Sequence, residues 1–325
     1  MLGNSHSSSH TVLPQLMRIP ARLTSALSAA VRFPLFFGAL VLATIAAAAQ
    51  AGANKAHMVF VDVTVTTPAD RVVTDLKPGD FTVLDDGTPQ TVSYLSQSDE
   101  PVSLVVVFDA TASMPRGIRA GRKALAELIA TSRPQDELGL VVLRDQPRIA
   151  VPLGGSRSEI KRIADTTPTG GFRALWDGML LGLKELESSR HRRRAMVVIS
   201  GAGDETSRHT PAELKKLLQQ TDVDVYGIGA FDRYAPRLMA RTKALELDEV
   251  LASTCGRGIS AYSEADFSGA ADRVSQELHS QYLLGYYPTH RNPEGEWPEL
   301  EVRLSGSALG AKLLHCSKGY HAVAD

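Results

Sequence analysis

The apolar run from Leu104 to Phe108 is unbroken, rich in β-branched residues, and ends on Asp109-Ala110-Thr111-Ala112-Ser113. A short run of this kind, bounded by turn residues, predicts a strand buried on both faces, as parallel sheets require. The same reading holds for 138–143, 195–200, 223–229 and 258–262. Between these runs the apolar period changes. Ile118, Leu125, Leu128 and Ile129 recur at helical spacing within 116–132, and Trp176, Met179, Leu180 and Leu183 do so within 173–186. Two capping-box patterns, Ser156-x-x-Glu159 and Thr210-Pro211-Ala212-Glu213, mark further helix starts. Strands alternating with helices predict an α/β fold with a doubly wound, mainly parallel, Rossmann-like sheet, and 148–152 is short enough for an antiparallel edge.

The two ends of the chain carry a different pattern. Val59, Val61, Val63 and Val65 alternate along 58–65, and 81–84 and 91–95 flank Asp85-Asp86-Gly87, a hairpin signal. The turn 75–81 returns Leu76 and Phe81 to one apolar face. After the helical region, 282–287, 299–304 and 312–320 are again β-rich, around a Pro- and Gly-containing loop at 288–297. These segments predict a small β unit made from both ends, with 52–100 and 282–325 flanking the α/β region at 101–281.

Composition narrows the function. The 325 residues are 43% apolar and 22% charged with a net charge of -1, ordinary globular values that give no general attraction to nucleic acid or anionic membrane. Residues 1–51 read as an export signal: Arg18, Arg22 and Arg32 precede the apolar run 33–49, and Ala49-Gln50-Ala51 is a small-x-small cleavage pattern. The mature protein is expected to start near Gly52 and to be periplasmic or secreted. The long polar lead leaves two alternatives open, a start at Met17 or a retained membrane anchor. Cys255 and Cys316 have no C-x-x-C spacing, which leaves either one disulfide in an oxidising compartment or two separate buried thiols.

The candidate chemistry lies after the first buried strand, because open α/β sheets place ligand sites at the carboxyl ends of their strands. Asp109, Thr111 and Ser113 supply only oxygens, a donor set for a hard cation such as Mg2+. The alternative is a turn and helix cap.

The order of several motifs extends the picture. D-x-T-x-S at 109–113 resembles the D-x-S-x-S opening of the metal-ion-dependent adhesion site in von Willebrand factor type A domains. Asp80-Phe81-Thr82-Val83-Leu84-Asp85-Asp86-Gly87, Gly170-Gly171 with Ala174-Leu175-Trp176-Asp177, Val197-Val198-Ile199-Ser200 and Tyr226-Gly227-Ile228-Gly229 also occur along the chain. With Ser280-Gln281-Tyr282-Leu283-Leu284-Gly285-Tyr286-Tyr287-Pro288 and Lys318-Gly319-Tyr320, they resemble a bacterial exported family bearing a von Willebrand factor type A-related domain. The resemblance spans about 58–320 and implies a non-enzymatic adhesion or protein-interaction module.

It also implies further metal ligands that this chain lacks. Where the resemblance implies a Thr, Arg173 stands, and where it implies an Asp after the fourth strand of the α/β domain, Gly201 stands. A guanidinium opposes a divalent cation electrostatically, so Arg173 is expected to pair with Asp109 in its place. The cofactor expectation is therefore none, or weakly bound Mg2+ at Asp109, Thr111 and Ser113, with Thr169 and Asp204 as substitute ligands. Arg173 and Asp204 are also the expected contacts to a protein partner, Arg173 through an acidic side chain of that partner if it is exposed.

Two other readings stand beside this one. One is a structural part of a cell-envelope assembly. The other is a hydrolase using Asp109 with Ser113, for which His209 is the candidate base; no Gly-x-Ser-x-Gly, His-Glu-x-x-His or Walker pattern supports it. Asp177 is expected to bond a helix start or neighbouring loops, 190–194 to be a solvated connection, and Tyr282, Tyr286, Tyr287 and Trp297 to pack in the β unit.

Overall fold

The computed structural model describes residues 57–97, 100–112, 117–201, 203–229, 238–254, 256–290, 298–308 and 310–316. The expected export segment, Ser113, Cys255 and Trp297 lie outside the described residues, as does the side chain of Cys316. In chain order the strands and helices are β1 (Val59–Thr66), β2 (Phe81–Asp85), β3 (Thr88–Gln90), β4 (Val92–Gln97), β5 (Val102–Asp109), α1 (Ile118–Thr131), β6 (Glu137–Leu143), β7 (Arg148–Val151), α2 (Arg157–Thr166) and α3 (Leu175–Leu186). They continue with β8 (Arg193–Ile199), α4 (Pro211–Leu218), β9 (Val223–Gly229), α5 (Leu238–Leu251), β10 (Gly258–Ser260), α6 (Glu264–Leu278), β11 (Tyr282–Tyr286), β12 (Leu300–Leu304) and β13 (Lys312–Cys316). Among the described residues, no helix is long and apolar enough to cross a membrane.

The central sheet has the order β10-β9-β8-β5-β6-β7. Its neighbours pair in parallel except β7, which runs antiparallel to β6 at the edge. Every residue of β5 is buried, and alternate side chains enter two separate cores. Leu104, Val106 and Phe108 face α1, α2 and α6, which contribute Leu125, Leu128, Ile160, Phe267 and Val274. Val105 and Val107 face α3, α4 and α5 through Trp176, Met179, Leu183, Leu214 and Leu247. Helices therefore cover both faces, which is why the strands read as continuous apolar runs instead of alternating ones. On α3, Gly178 and Gly182 bring the helix close to the sheet. A Cβ on Gly178 would lie 2.1 Å from Leu143 Cδ2.

The chain ends form two small sheets, β13-β1-β11-β4 and β12-β2-β3. They enclose a third core of Val61, Val63, Val65, Phe81, Val83, Tyr282, Leu284, Tyr286, Leu300 and Val302. The tail thus returns to the first strands, β1 pairing with β11 and β13 and β2 with β12.

Several details depart from the sequence reading. The hairpin around Asp86-Gly87 joins β2 to β3, whereas β4 leaves it and pairs with β11, because the chain turns away after Gln90. Ser156 precedes α2 but makes no capping bond, its Oγ lying 2.7 Å from Ser158 Oγ. Thr210 and Glu213 form the expected box on α4, and a further one, Ser263 with Asp266, starts α6. Tyr282 and Tyr286 are buried as expected, but Tyr287 is exposed.

The basic run 190–194, which leads into β8, is also more than a solvated connection. Arg192 forms a forked pair with Asp62 of β1, at 2.7 and 3.1 Å, and reaches Glu100 at 3.0 Å. Arg193 is buried and donates to Leu278 O and Gln281 Oε1, and Arg190 pairs with Glu137. These partners are distant in sequence, which is why a local charge count reads the run as solvated.

Candidate functional site

The parallel register places Asp109 beside Leu143 and Phe108 beside Ile199, so the loops after β5, β6 and β8 leave from one edge of the sheet. Backbone bonds then tie the first of them to the loop that precedes α3. Gly170 N donates to Ala110 O (3.0 Å) and Ala112 N to Gly171 O (3.1 Å). Gly171 has φ +71°, and a Cβ there would lie 2.2 Å from Asp145 Oδ1. Only glycine fits, on both backbone and steric grounds.

Asp109 is fully buried at the floor of this rim. Its Oδ1 accepts from Thr111 N (2.9 Å) and Thr111 Oγ1 (2.6 Å), and its Oδ2 accepts from Ser200 Oγ (2.6 Å). Arg173 Nε lies 2.7 Å from the same Oδ2, and the Arg173 side chain is only 6% exposed. The guanidinium continues across the site, Nη1 donating to Gly203 O (2.8 Å) and Gly201 O (3.3 Å). The main chain of Arg173 is held as well: its N–H donates to Glu205 Oε2 (3.0 Å), and its carbonyl accepts from Glu205 N (2.8 Å) and Thr206 N (3.1 Å). One arginine therefore joins the loop before α3 to the loop after β8 and supplies the positive charge facing Asp109.

Asp204 has a different task. Its Oδ1 accepts from Leu175 N (2.7 Å), at the first residue of α3, and from Ser207 Oγ (2.5 Å), while Oδ2 accepts from Ser207 N (3.0 Å). It caps α3 from another loop, where a carboxylate also meets the positive end of the helix. Asp177 extends this clamp. It accepts from Arg208 N (3.0 Å) and His209 N (3.1 Å) and lies 2.7 Å from His209 Nδ1. Burial pushes the Asp177 carboxyl up, but the Arg208 N–H and His209 outweigh it and hold the group below its ordinary value.

The structure thus brings Asp109, Thr111, Arg173 and Gly201 together, and Asp204 joins them through the α3 clamp. Thr169 is exposed on the rim, and His209 is bound to Asp177. The condition for a direct contact between Arg173 and a partner's carboxylate, an exposed guanidinium, is not met. Sequence reasoning missed Ser200 as a partner of Asp109 and Glu205 as a partner of Arg173. The first was accessible in principle, since Ser200 directly follows β8, an apolar strand adjacent to β5; the second depends on how the loop folds back.

Residues 104–204 match the family model of the von Willebrand factor type A domain. The chain carries a von Willebrand factor type A domain. No curated protein matches it. Its structure is similar to a von Willebrand factor type A protein from Catenulispora acidiphila, at 11% identity and a TM-score of 0.45, covering 80% of this chain and 72% of that one. It is similar to the PilB minor pilin from Streptococcus sanguinis, at 12% identity and a TM-score of 0.43, covering 57% of this chain and 62% of the pilin. It is also similar to the vWF domain of the type V pili tip protein Mfa5 from Porphyromonas gingivalis, at 8% identity and a TM-score of 0.41, covering 55% and 95%.

Proposed function

We propose that this is an exported, non-enzymatic protein-interaction module whose rim binds a protein partner without a bridging metal ion. The observation that carries this reading is the Arg173–Asp109 ion pair. A divalent cation at this floor would meet a carboxylate that already accepts from Thr111 and Ser200, with a buried guanidinium 2.7 Å away. A cation and a guanidinium sharing that carboxylate, about 4 Å apart, would repel by about 4 kcal/mol or more in a protein-like medium. Gly201 offers no carboxylate to offset that. The donor set does not fit Mg2+, and Arg173 takes the cation's electrostatic place.

A partner then meets what stands above this floor. Phe172 is 68% exposed, although its neighbours in sequence, Gly171 and Arg173, are fixed by close packing and by the buried pair. An exposed aromatic on a rigid loop loses little entropy on docking and is the type of side chain that anchors protein interfaces. Thr169 on the same loop, and Glu205, Thr206 and Arg208 on the loop that Arg173 ties to it, are exposed and supply polar groups to this rim. Arg173 and Asp204, the contacts expected from sequence, support this surface from beneath. Export is supported by the basic residues Arg18, Arg22 and Arg32 ahead of the apolar run 33–49.

Cross-linking of the full-length protein in a bacterial host tests the surface. A partner captured by the wild type should be lost with Phe172→Asp and retained in EDTA. Retention by Phe172→Asp would reject the rim as the surface, and loss in EDTA would reject metal-free recognition. Calorimetry tests the floor separately. Mg2+ should give no binding heat with the wild type and a measurable heat with Arg173→Thr combined with Gly201→Asp; heat with the wild type would overturn the proposal.

A further inference from the structure

We propose that Asp85, Asp86 and His290 form a second, independent site in the β unit that binds a divalent transition metal, best matched to Zn2+. Ligand atoms of these three residues lie within 4.8 Å of one another. They come from two places, the β2–β3 hairpin and the segment that follows β11, which only the fold brings together. This inference does not rest on the rim reading, since none of the residues is shared.

Each part of the site is anchored by bonds of its own. Asp85 is fully buried, and its Oδ2 accepts from Tyr286 OH at 2.8 Å. Such a bond to a carboxylate orients it as a ligand. Asp86 occupies the hairpin turn with φ +45°, followed by Gly87 at +75°, and its Oδ1 accepts from Glu299 N at 2.8 Å. Thr289, next to His290, is fixed to Gln90 by two bonds of 3.1 Å.

The decisive atom is His290 Nε2. It is buried without a hydrogen-bond partner among the described residues, and it lies 3.8 Å from Asp85 Oδ1. That separation is too long for a hydrogen bond. It is within the span of two atoms that each sit about 2.0–2.2 Å from one Zn2+. A buried, unsatisfied ring nitrogen carries a cost that a metal ion would remove by accepting its lone pair. One imidazole and two carboxylates favour a borderline metal over Mg2+ or Ca2+, which prefer oxygen alone. Three protein ligands also leave a fourth position for water.

Isothermal titration of the full chain with ZnCl2 should show one stoichiometric equivalent and a raised melting temperature. His290→Ala and Asp86→Asn, both at least partly exposed positions, should each weaken that equivalent by about tenfold or more while leaving the circular dichroism unchanged. Tyr286→Phe should weaken it less. Mg2+ should not compete. The chain has nine histidines, so binding to other sites is the alternative. A stoichiometric equivalent that survives unchanged in His290→Ala, or no such equivalent in the wild type, would overturn the proposal.

Discussion

Replacing Arg173 by methionine is expected to lower the unfolding free energy by about 3–5 kcal/mol, because it leaves a buried carboxylate without its opposite charge. Methionine approximates the length and apolar bulk of the arginine stem, so the loss reports charge and hydrogen bonding more than a cavity. Asp109 would retain Thr111 and Ser200 but no cation, and the carbonyls of Gly201 and Gly203 would lose their common donor. Arg173→Lys should fall between the wild type and Arg173→Met. An ammonium keeps the charge but cannot span Asp109 and two carbonyls as the planar guanidinium does. Asp109→Asn combined with Arg173→Met should be less destabilised than the sum of the two single variants, since removing both charges removes the unpaired one. Urea unfolding of the wild type, both single variants and the double variant gives the cycle. A loss below about 1 kcal/mol for Arg173→Met, the range of exposed pairs, would mean that water reaches the floor and that this arginine is no substitute for a cation.

The central sheet was legible in the sequence because its strands are buried on both faces, and a run as apolar and β-branched as Leu104 to Phe108 suits a strand covered from both sides. Helix α6 was harder to see. Its buried stripe contains Ala270, Ala271 and Ser275 beside Phe267 and Val274, so the contrast between faces is small, and its capping residue pairs with Asp266 instead of Glu or Gln. The partner of β4 was not legible either, because β11 lies far along the chain and no local rule favours it over β2. At the rim, the type and position of Arg173 were enough to suggest its pairing with Asp109. Its burial was not, because that depends on 170–171 and 201–206 folding over the floor, a matter of loop closure that periodicity does not record. The exposure of Phe172 follows from the same closure: once Arg173 turns inward and Gly171 adopts φ +71°, the intervening side chain stays outside.

Asp136→Ala is expected to cost about 3 kcal/mol at neutral pH, since hydrogen bonds to a charged group each contribute roughly 1.5–3 kcal/mol and several are lost together. The side chain of Asp136 is nearly buried where three elements meet. Its Oδ1 accepts from Val102 N at the start of β5 (2.9 Å), its Oδ2 accepts from Arg133 N (2.7 Å), and His279, just after α6, brings Nε2 to 2.9 Å. The other ring nitrogen of His279 lies 2.8 Å from Ser275 O, which fixes the imidazole against the carboxylate. Burial alone would push the Asp136 carboxyl up; His279 and the Val102 and Arg133 N–H groups outweigh it and hold the group below its ordinary value. A carboxyl lowered in the folded state stabilises the fold fully above the unfolded value of about 3.9, and that contribution fades as pH falls through the lower folded value. The difference between wild type and Asp136→Ala should therefore be greatest near pH 7 and shrink below about pH 4. Glu137 adds a contribution of the same sign: burial raises it, but Ser103 and Arg190 hold it low. The Asp136→Ala variant should thus still lose stability in acid, only with a shallower slope than the wild type. Urea midpoints measured from pH 7 to about pH 2.5 decide the matter. A difference between the two proteins that stays constant across that range would show that Asp136 acts through neutral packing and not through its charge.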